Sequence, residues 1–309
     1  MAYIKMNVFS RCLMRATPVT VILPLDRFPF PGVPEREDKP FKTLYLLHGG
    51  FGSPNDYLYY TNIKEYAESR DLAVVIPAGD NLFFSDQKQF HSNYSAFVGD
   101  ELVRLMNRMF PLSTAREDTF LAGFSMGGYS ALKIGLKYGR NFGYAAGFSA
   151  PTILDGLQEG GEQKLPEILG GKAFIEAVFG DAASFRDSEH NLAWFAARQT
   201  ESGAAVPKLY LSVGTSDLLA DDCVRLGGQL KDAGCEVAFR TGPGGHDWAF
   251  WNAELKYIVE NWLPTEEDRY ADLPGFLEAD LSTGADNVEI PRNSTLLHEF
   301  TESGNGEKR

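Results

Sequence analysis

Cysteine is scarce in this chain: Cys12, Cys223 and Cys235 are the only three among 309 residues. They are too few and too scattered for a disulfide framework, and none stands at metal-ligand spacing, which excludes a stapled secreted scaffold and a zinc module. A reduced, cytoplasmic setting is the expectation, with neither metal nor cofactor. Runs of Lys and Arg are missing as well, and the formal net charge is −13. Nucleic acid and anionic membranes both reward clustered cations, so neither is an expected partner. Nor is there an apolar stretch of membrane-spanning length. The opening "MAYIKMNVFSRCLMRATPVTVILP" lacks an uninterrupted apolar h-region and a small-residue cleavage site, so it reads as strands rather than as an address.

What is present supports a large core: 44% of the residues are apolar and 13% aromatic, enough for one α/β domain over about residues 1–263. Ile4, Met6 and Val8, then Val19, Val21 and Leu23, repeat with period two and predict an opening antiparallel pair. After them come continuous apolar runs at 43–47, 72–77, 119–124, 144–149, 208–213 and 236–240. Such runs predict strands buried on both faces. Helical stripes lie between or after them, Val98–Leu102–Leu105–Met109 and Trp251–Leu255–Ile258–Trp262. Alternating strand and helix predicts a mostly parallel central sheet with helices on both faces, and a ligand site beyond the carboxyl ends of its strands. Residues 151–206 interrupt the rhythm and are expected to form a cap-like insertion, with a helix around "NLAWFAAR". Residues 264–309 form an acidic, weakly periodic extension.

Gly123-Phe124-Ser125-Met126-Gly127 satisfies G-x-S-x-G. The pattern alone is weak, but here it follows a predicted strand and opens a predicted helix, as a nucleophile elbow requires. In that turn the serine hydroxyl stands exposed at a helix N-terminus, whose amides favour developing negative charge. A serine attacks only when a base takes its proton. Of the five histidines, His48, His91, His190, His246 and His298, His246 is the candidate, in the glycine loop between the last predicted strand and the last helix. A lone histidine is more often structural, and the serine motif is what raises this one. The acid that orients it is assigned to Asp217 at the end of "LSVGTSD", giving the chain order serine, aspartate, histidine. Asp221, Asp222 and Asp247 compete for that role, and a helix cap is the alternative duty for Asp217.

The stretch "HGGFGS" at 48–53 follows an apolar strand and carries no nucleophile of its own. Its predicted duty is to hold charge: Gly50 is the expected second oxyanion donor, with Phe51 next, and Met126 the first. A phosphate cradle is the rival reading, but neither glycine loop supplies the Lys-Ser/Thr pair of a P-loop or G-x-G-x-x-G. Phe51 and Trp248 are expected pocket residues, and Tyr57, Tyr59, Tyr60 and Trp251 lie near the same rim, more of them core than lining.

Taken together, "LYLLHGGFGSPNDY", "DTFLAGFSMGGYSALKIGLKY" and "GGHDWAFW" resemble the esterase-D-like group of α/β-hydrolases, within it the tributyrin esterase and feruloyl or acetyl esterase branch. The resemblance runs over roughly residues 1 to 263. It implies a serine carboxylesterase for short acyl or feruloyl-type esters, with Ser125, Asp217 and His246 as triad and the Gly50 and Met126 amides as oxyanion hole. S-formylglutathione hydrolases belong to the same superfamily and are the runner-up. The tail beyond Pro264 and the 151–206 segment depart from the branch. A non-catalytic binding protein on the same fold is the reading from another class, against which stands the complete serine, acid and histidine set. The expected partner is a small ester, and a homo-oligomer is compatible with the sequence.

Overall fold

The computed structural model describes residues 1–26, 35–153, 171–268 and 270. In chain order the strands are β1 (Ala2–Ser10), β2 (Arg15–Leu23), β3 (Lys42–Leu47), β4 (Leu72–Pro77), the short β5 (Asp86–Gln87) and β6 (Ser92–Asn93), then β7 (Thr119–Phe124), β8 (Tyr144–Phe148), β9 (Lys208–Gly214) and β10 (Val237–Gly242). Eight of them make one sheet in the order β1-β2-β4-β3-β7-β8-β9-β10. The opening hairpin is antiparallel and so is β2 against β4; every pairing from β4 to β10 is parallel. Only β5 and β6 stand apart, as a small antiparallel pair.

The apolar runs of β3, β4, β7, β8 and β9 are continuous because these strands bury both their faces, whereas β10, expected to be buried as well, is the edge strand of the sheet and stays half-buried to exposed. Tyr45, Leu47, Leu121, Ala145 and Leu209 pack on one side, with the helix Met126–Lys137 and the helices flanking it. Leu44, Leu46, Phe120, Phe148 and Tyr210 face the other way, toward the helices Ile63–Ser69 and Trp248–Tyr257. A side-chain period of two therefore divides these inner strands between two cores.

Register puts the site at one edge. Leu47 pairs with Gly123, Phe124 with Phe148, and Gly214 with Gly242. The carboxyl ends of β3, β7, β8, β9 and β10 thus finish side by side, and the loops leaving them share one rim.

Two expectations shift in detail. Of the stripe Val98–Leu102–Leu105–Met109, the first two are buried and Leu105 packs half-buried against the core, but Met109 is 50% exposed at the end of the helix Leu102–Met109, where Val103 and Met106 are buried as well. Of the expected 151–206 insertion, the described part forms helices Gly171–Phe179, Ala182–Arg186 and Leu192–Glu201. The last packs against Met126–Lys137 and Ala220–Asp232 as part of a helical layer rather than over the rim. Residues 154–170 of that insertion lie outside the described residues, as does the acidic extension from 271 on. Residues 264–268 run back along the start of β3, where Lys42 Nζ donates to Pro264 O at 2.6 Å and Lys39 pairs with Glu266 at 2.8 Å. No helix among the described residues is long and apolar enough to cross a membrane.

Candidate active site

Ser125 stands between β7 and the helix Met126–Lys137 with φ 52° and ψ −121°. A side chain in that region is strained, a cost on the order of 1–3 kcal/mol that the surroundings must hold. Here its N–H donates to Phe148 O at 2.8 Å and its C=O accepts from Tyr129 N–H at 3.1 Å. The flanking glycines answer a question of space. A Cβ on Gly127 would run into the carbonyls of Leu47 and His48, and one on Gly123 into the Gly127 carbonyl. Only a bare backbone lets the helix start press against the end of β3.

Three side chains from distant parts of the chain meet at this rim. His246 Nε2 lies 3.0 Å from Ser125 Oγ, and its Nδ1 lies 3.0 and 3.2 Å from the two oxygens of Asp217. The Asp217 side chain is wholly buried while His246 keeps 26% exposure, so the acid is shielded and the serine end is open. Burial alone would raise the Asp217 pKa. Hydrogen bonds from His246, the Leu219 amide and the Ser149 hydroxyl outweigh it and hold the carboxyl below its ordinary value. The ring of His246 also stands edge-on to Trp251 at 4.9 Å.

Of the competing acids, Asp221 is exposed in the first turn of the helix Ala220–Asp232 and the other two have other duties. Asp247 caps the last helix by accepting from Phe250 N–H at 3.0 Å, and Asp222 pairs with Arg225 at 2.7 Å. Asp217 does accept the Leu219 amide, at 2.9 Å, beside its contact with His246. Its orienting and turn-capping roles coexist.

Opposite the serine, "HGGFGS" is organised by its own hydrogen bonds. His48 is fully buried; its Nδ1 donates to Gly49 O at 2.8 Å and its Nε2 accepts Gly79 N–H at 3.0 Å. Burial lowers its pKa, so it stays neutral and structural. Phe51 N–H is taken by Asn81 Oδ1 at 2.7 Å, Gly52 N–H by Gly49 O at 3.2 Å and Ser53 N–H by Asp56 at 3.0 Å. Within 50–53 that leaves the Gly50 N–H without an acceptor among the described residues. Met126, first residue of its helix, has no intrahelical acceptor for its N–H either. Both residues line the same cavity of about 470 Å³ as Ser125 and His246.

Phe51 and Trp248 line this cavity too, with Tyr60, Phe83, Phe124 and Trp251. Tyr60 stacks on Trp248 at 5.0 Å, whereas Tyr57 is core, donating its hydroxyl to Leu47 O at 2.9 Å, and Tyr59 is 72% exposed outside the lining. Of the other histidines, His190 lines a separate cavity, His91 is exposed, and His298 lies outside the described residues. No group of three or more His, Cys, Asp or Glu among the described residues is placed to hold a metal.

Two site residues escape a sequence reading. Ser149, buried at φ 49° just past β8, gives its hydroxyl to Asp217 and accepts the Trp251 indole N–H at 3.0 Å. Its place at the carboxyl end of a parallel strand is the one signal that could have found it. Asn81 sits in the loop after β4, and no motif marks it.

Comparisons with known proteins show the family and the fold. Residues 10–261 match the model of a family described as "Putative esterase". An acetyl esterase of Caldicellulosiruptor saccharolyticus is 32% identical over 270 residues, 87% of this chain and 100% of that one. The S-formylglutathione hydrolase of Staphylococcus aureus, solved as the apoenzyme, superposes with a TM-score of 0.69 at 32% identity, covering 84% of this chain and 97% of that chain. The fluorophosphonate-binding serine hydrolase F of the same organism, solved with substrate bound, gives 0.69 at 31% identity, covering 84% and 96%. A ferulic acid esterase shares the fold, with a TM-score of 0.63 at 20% identity and coverage of 84% and 96%.

Proposed function

This chain belongs to the esterase family and is a carboxylic ester hydrolase; from that premise we propose that it cleaves short acyl (acetyl or butyryl) or feruloyl-type esters through an acyl-enzyme on Ser125. The observation that carries this reading is the 3.0 Å contact between His246 Nε2 and Ser125 Oγ, backed by Asp217 at 3.0 Å on the other ring nitrogen. Asp217 accepts the hydrogen bond of His246 Nδ1–H, which keeps the proton on that nitrogen and leaves Nε2 free as a base. As Oγ adds to the ester carbonyl carbon, its proton moves to Nε2 and the carbonyl oxygen becomes an oxyanion, held by the Gly50 and Met126 amides. The imidazolium then gives that proton to the departing alcohol oxygen as the C–O bond breaks. Water repeats the sequence on the acyl-enzyme, losing a proton to Nε2; collapse returns it to Oγ and releases the acid.

A thioester such as S-formylglutathione would pass through the same steps, and the 32% identical Staphylococcus aureus structure favours keeping that reading. Against it, the described cavity lining contains the Asp56 carboxylate and no Lys or Arg to meet the carboxylates of a glutathione moiety. An ester of a neutral alcohol suits the site better. The test is a panel of p-nitrophenyl acetate, p-nitrophenyl butyrate, methyl ferulate and S-formylglutathione. Short acyl esters should lead, and Ser125→Ala should lose at least about a thousandfold in kcat. Near-normal turnover by that variant would overturn the mechanism, and a dominant thioester rate would overturn the substrate class.

A further inference from the structure

The hydrogen bond from Phe51 N–H to Asn81 Oδ1, at 2.7 Å, decides which amide of the glycine loop is left to face the cavity. Phe51 has φ 60°, a left-handed conformation that a phenylalanine adopts only when its surroundings impose it. Two tethers impose it here, and both come from the loop after β4. Gly79 N–H reaches His48 Nε2 at 3.0 Å on one side of the glycine pair, and Asn81 takes Phe51 N–H on the other.

That loop is itself anchored from beneath. Its Phe83 and Phe84 have φ of 54° and 43°. Lys133, fully buried on the helix that starts after Ser125, donates to Ser85 Oγ at 2.6 Å and to Phe83 O at 3.3 Å. Ser95 Oγ donates to Phe84 O at 2.7 Å. The nucleophile's helix and the loop that grips the opposite side of the site are therefore one framework. Its outer end is the Asn81 carboxamide, which lines the cavity close to Gly50 and Phe51.

We infer that Asn81 is a positioning residue for the oxyanion hole: by accepting the Phe51 N–H it fixes the Gly50–Phe51 peptide so that the Gly50 N–H is held for the carbonyl oxygen. The inference rests on the esterase reading above and adds to it a residue outside the triad and outside both donors. Asn81 acts through the peptide and takes no proton. Its loss costs what depends on a placed donor, and substrate affinity in the ground state stays nearly the same.

Asn81→Leu keeps the bulk and removes the acceptor, while Asn81→Asp keeps an acceptor at the same reach. For p-nitrophenyl acetate, Asn81→Leu should lower kcat by about ten- to a hundredfold with KM within about twofold, somewhat less than the hundred- to thousandfold typical of deleting a donor outright. Its affinity for a trifluoromethyl ketone, which adds Ser125 Oγ and places an oxyanion in the hole, should fall by a similar factor, and its melting temperature should stay near that of the wild type. Asn81→Asp should recover a large part of both losses. Wild-type kcat and ketone affinity in Asn81→Leu would overturn the inference. So would a loss confined to KM, which would make Asn81 a substrate contact instead. Should the wild type itself neither turn over esters nor bind the ketone, the esterase reading and this inference fall together; an active wild type matched by Asn81→Leu, with Ser125→Ala inert, removes only this one.

Discussion

Asp217 carries more of the site's electrostatics than its single contact with His246 suggests. It accepts from the imidazole, from the Leu219 amide and from Ser149, whose own oxygen is occupied by the Trp251 indole. Asp217→Asn presents an amide that cannot accept the Nδ1 proton in the same way and favours the wrong tautomer, so kcat should fall by about 10⁴ with the fold intact. Labelling of Ser125 by a fluorophosphonate, followed as the mass shift of its peptide, should slow in step; undiminished labelling would remove Asp217 from the mechanism. The depressed carboxyl also has a consequence for stability. Its contribution is complete above the ordinary aspartate value of about 3.9 and is lost as pH falls through the lower folded value. Acid unfolding should therefore narrow the stability gap between wild type and Asp217→Asn in that window, and a gap that stayed constant would contradict the assignment. Trp251→Phe removes the indole N–H from Ser149 together with part of the buried ring that meets His246 and Phe124, and a loss of about 1–3 kcal/mol in urea unfolding is expected, with a fall in kcat.

The helix Met126–Lys137 does three things in succession along its length. Its first residue lines the cavity, its Gly127 admits the end of β3, and Lys133 braces the Phe83–Phe84 turn. Gly127→Ala must displace the backbone of Leu47 or His48, since neither carbonyl is the flexible end of a side chain. A destabilisation of about 1–3 kcal/mol is expected from such overpacking, together with a fall in kcat, because the displaced strand end carries Gly49 and Gly50. An alanine variant with unchanged kcat and melting temperature would refute the close-approach account. Lys133 gives up its proton far below the ordinary lysine range: burial lowers its pKa to about 7, opposed by Glu189 and Asp86 and assisted by Lys137. Between about 7 and the ordinary lysine value of about 10.4, the unfolded chain holds a proton that the folded chain lacks, so this group makes stability rise with pH across that interval. Urea titrations at pH 7 and pH 9.5 should show the wild type gaining on Lys133→Met. Parallel shifts in both proteins would mean that Lys133 stays protonated in the fold.

At the scale of the whole molecule, charge and site act in the same direction. The chain carries a formal net charge of −13, and the described lining adds a carboxylate and no cation. Anionic esters should be repelled on approach, an effect that salt screens as the Debye length shrinks from about 30 Å at 0.01 M to about 8 Å at 0.15 M. The mono-p-nitrophenyl ester of succinic acid should gain at least about twofold in kcat/KM over that range, while p-nitrophenyl acetate stays level; equal response by both would show that the field does not reach the site.

Much of the architecture was legible in the residues because the signals are local. Period-two and continuous apolar runs mark strands wherever they occur, and a serine between glycines after a strand marks a turn with no room for side chains. Ser125, Asp217 and His246 were singled out from strand ends and chain order, and the parallel register is what brings the ends of β7, β9 and β10 to one edge. Of the helix stripe at 98–109 only Met109 stands exposed, because burial of a helix's last turn depends on what packs beside it and not on the apolar repeat.

Element order, the elbow serine and the best histidine and aspartate are properties of short stretches, and short stretches carry them without help. Which glycine-loop amide stays free, what presses Asp217 toward ionisation and what holds Phe51 left-handed are not. Those answers come from Asn81, Ser149 and Trp251, 30, 68 and 102 residues from the groups they touch. A hydrogen bond between groups so far apart in sequence exists only once packing has put donor and acceptor within about 3 Å of each other.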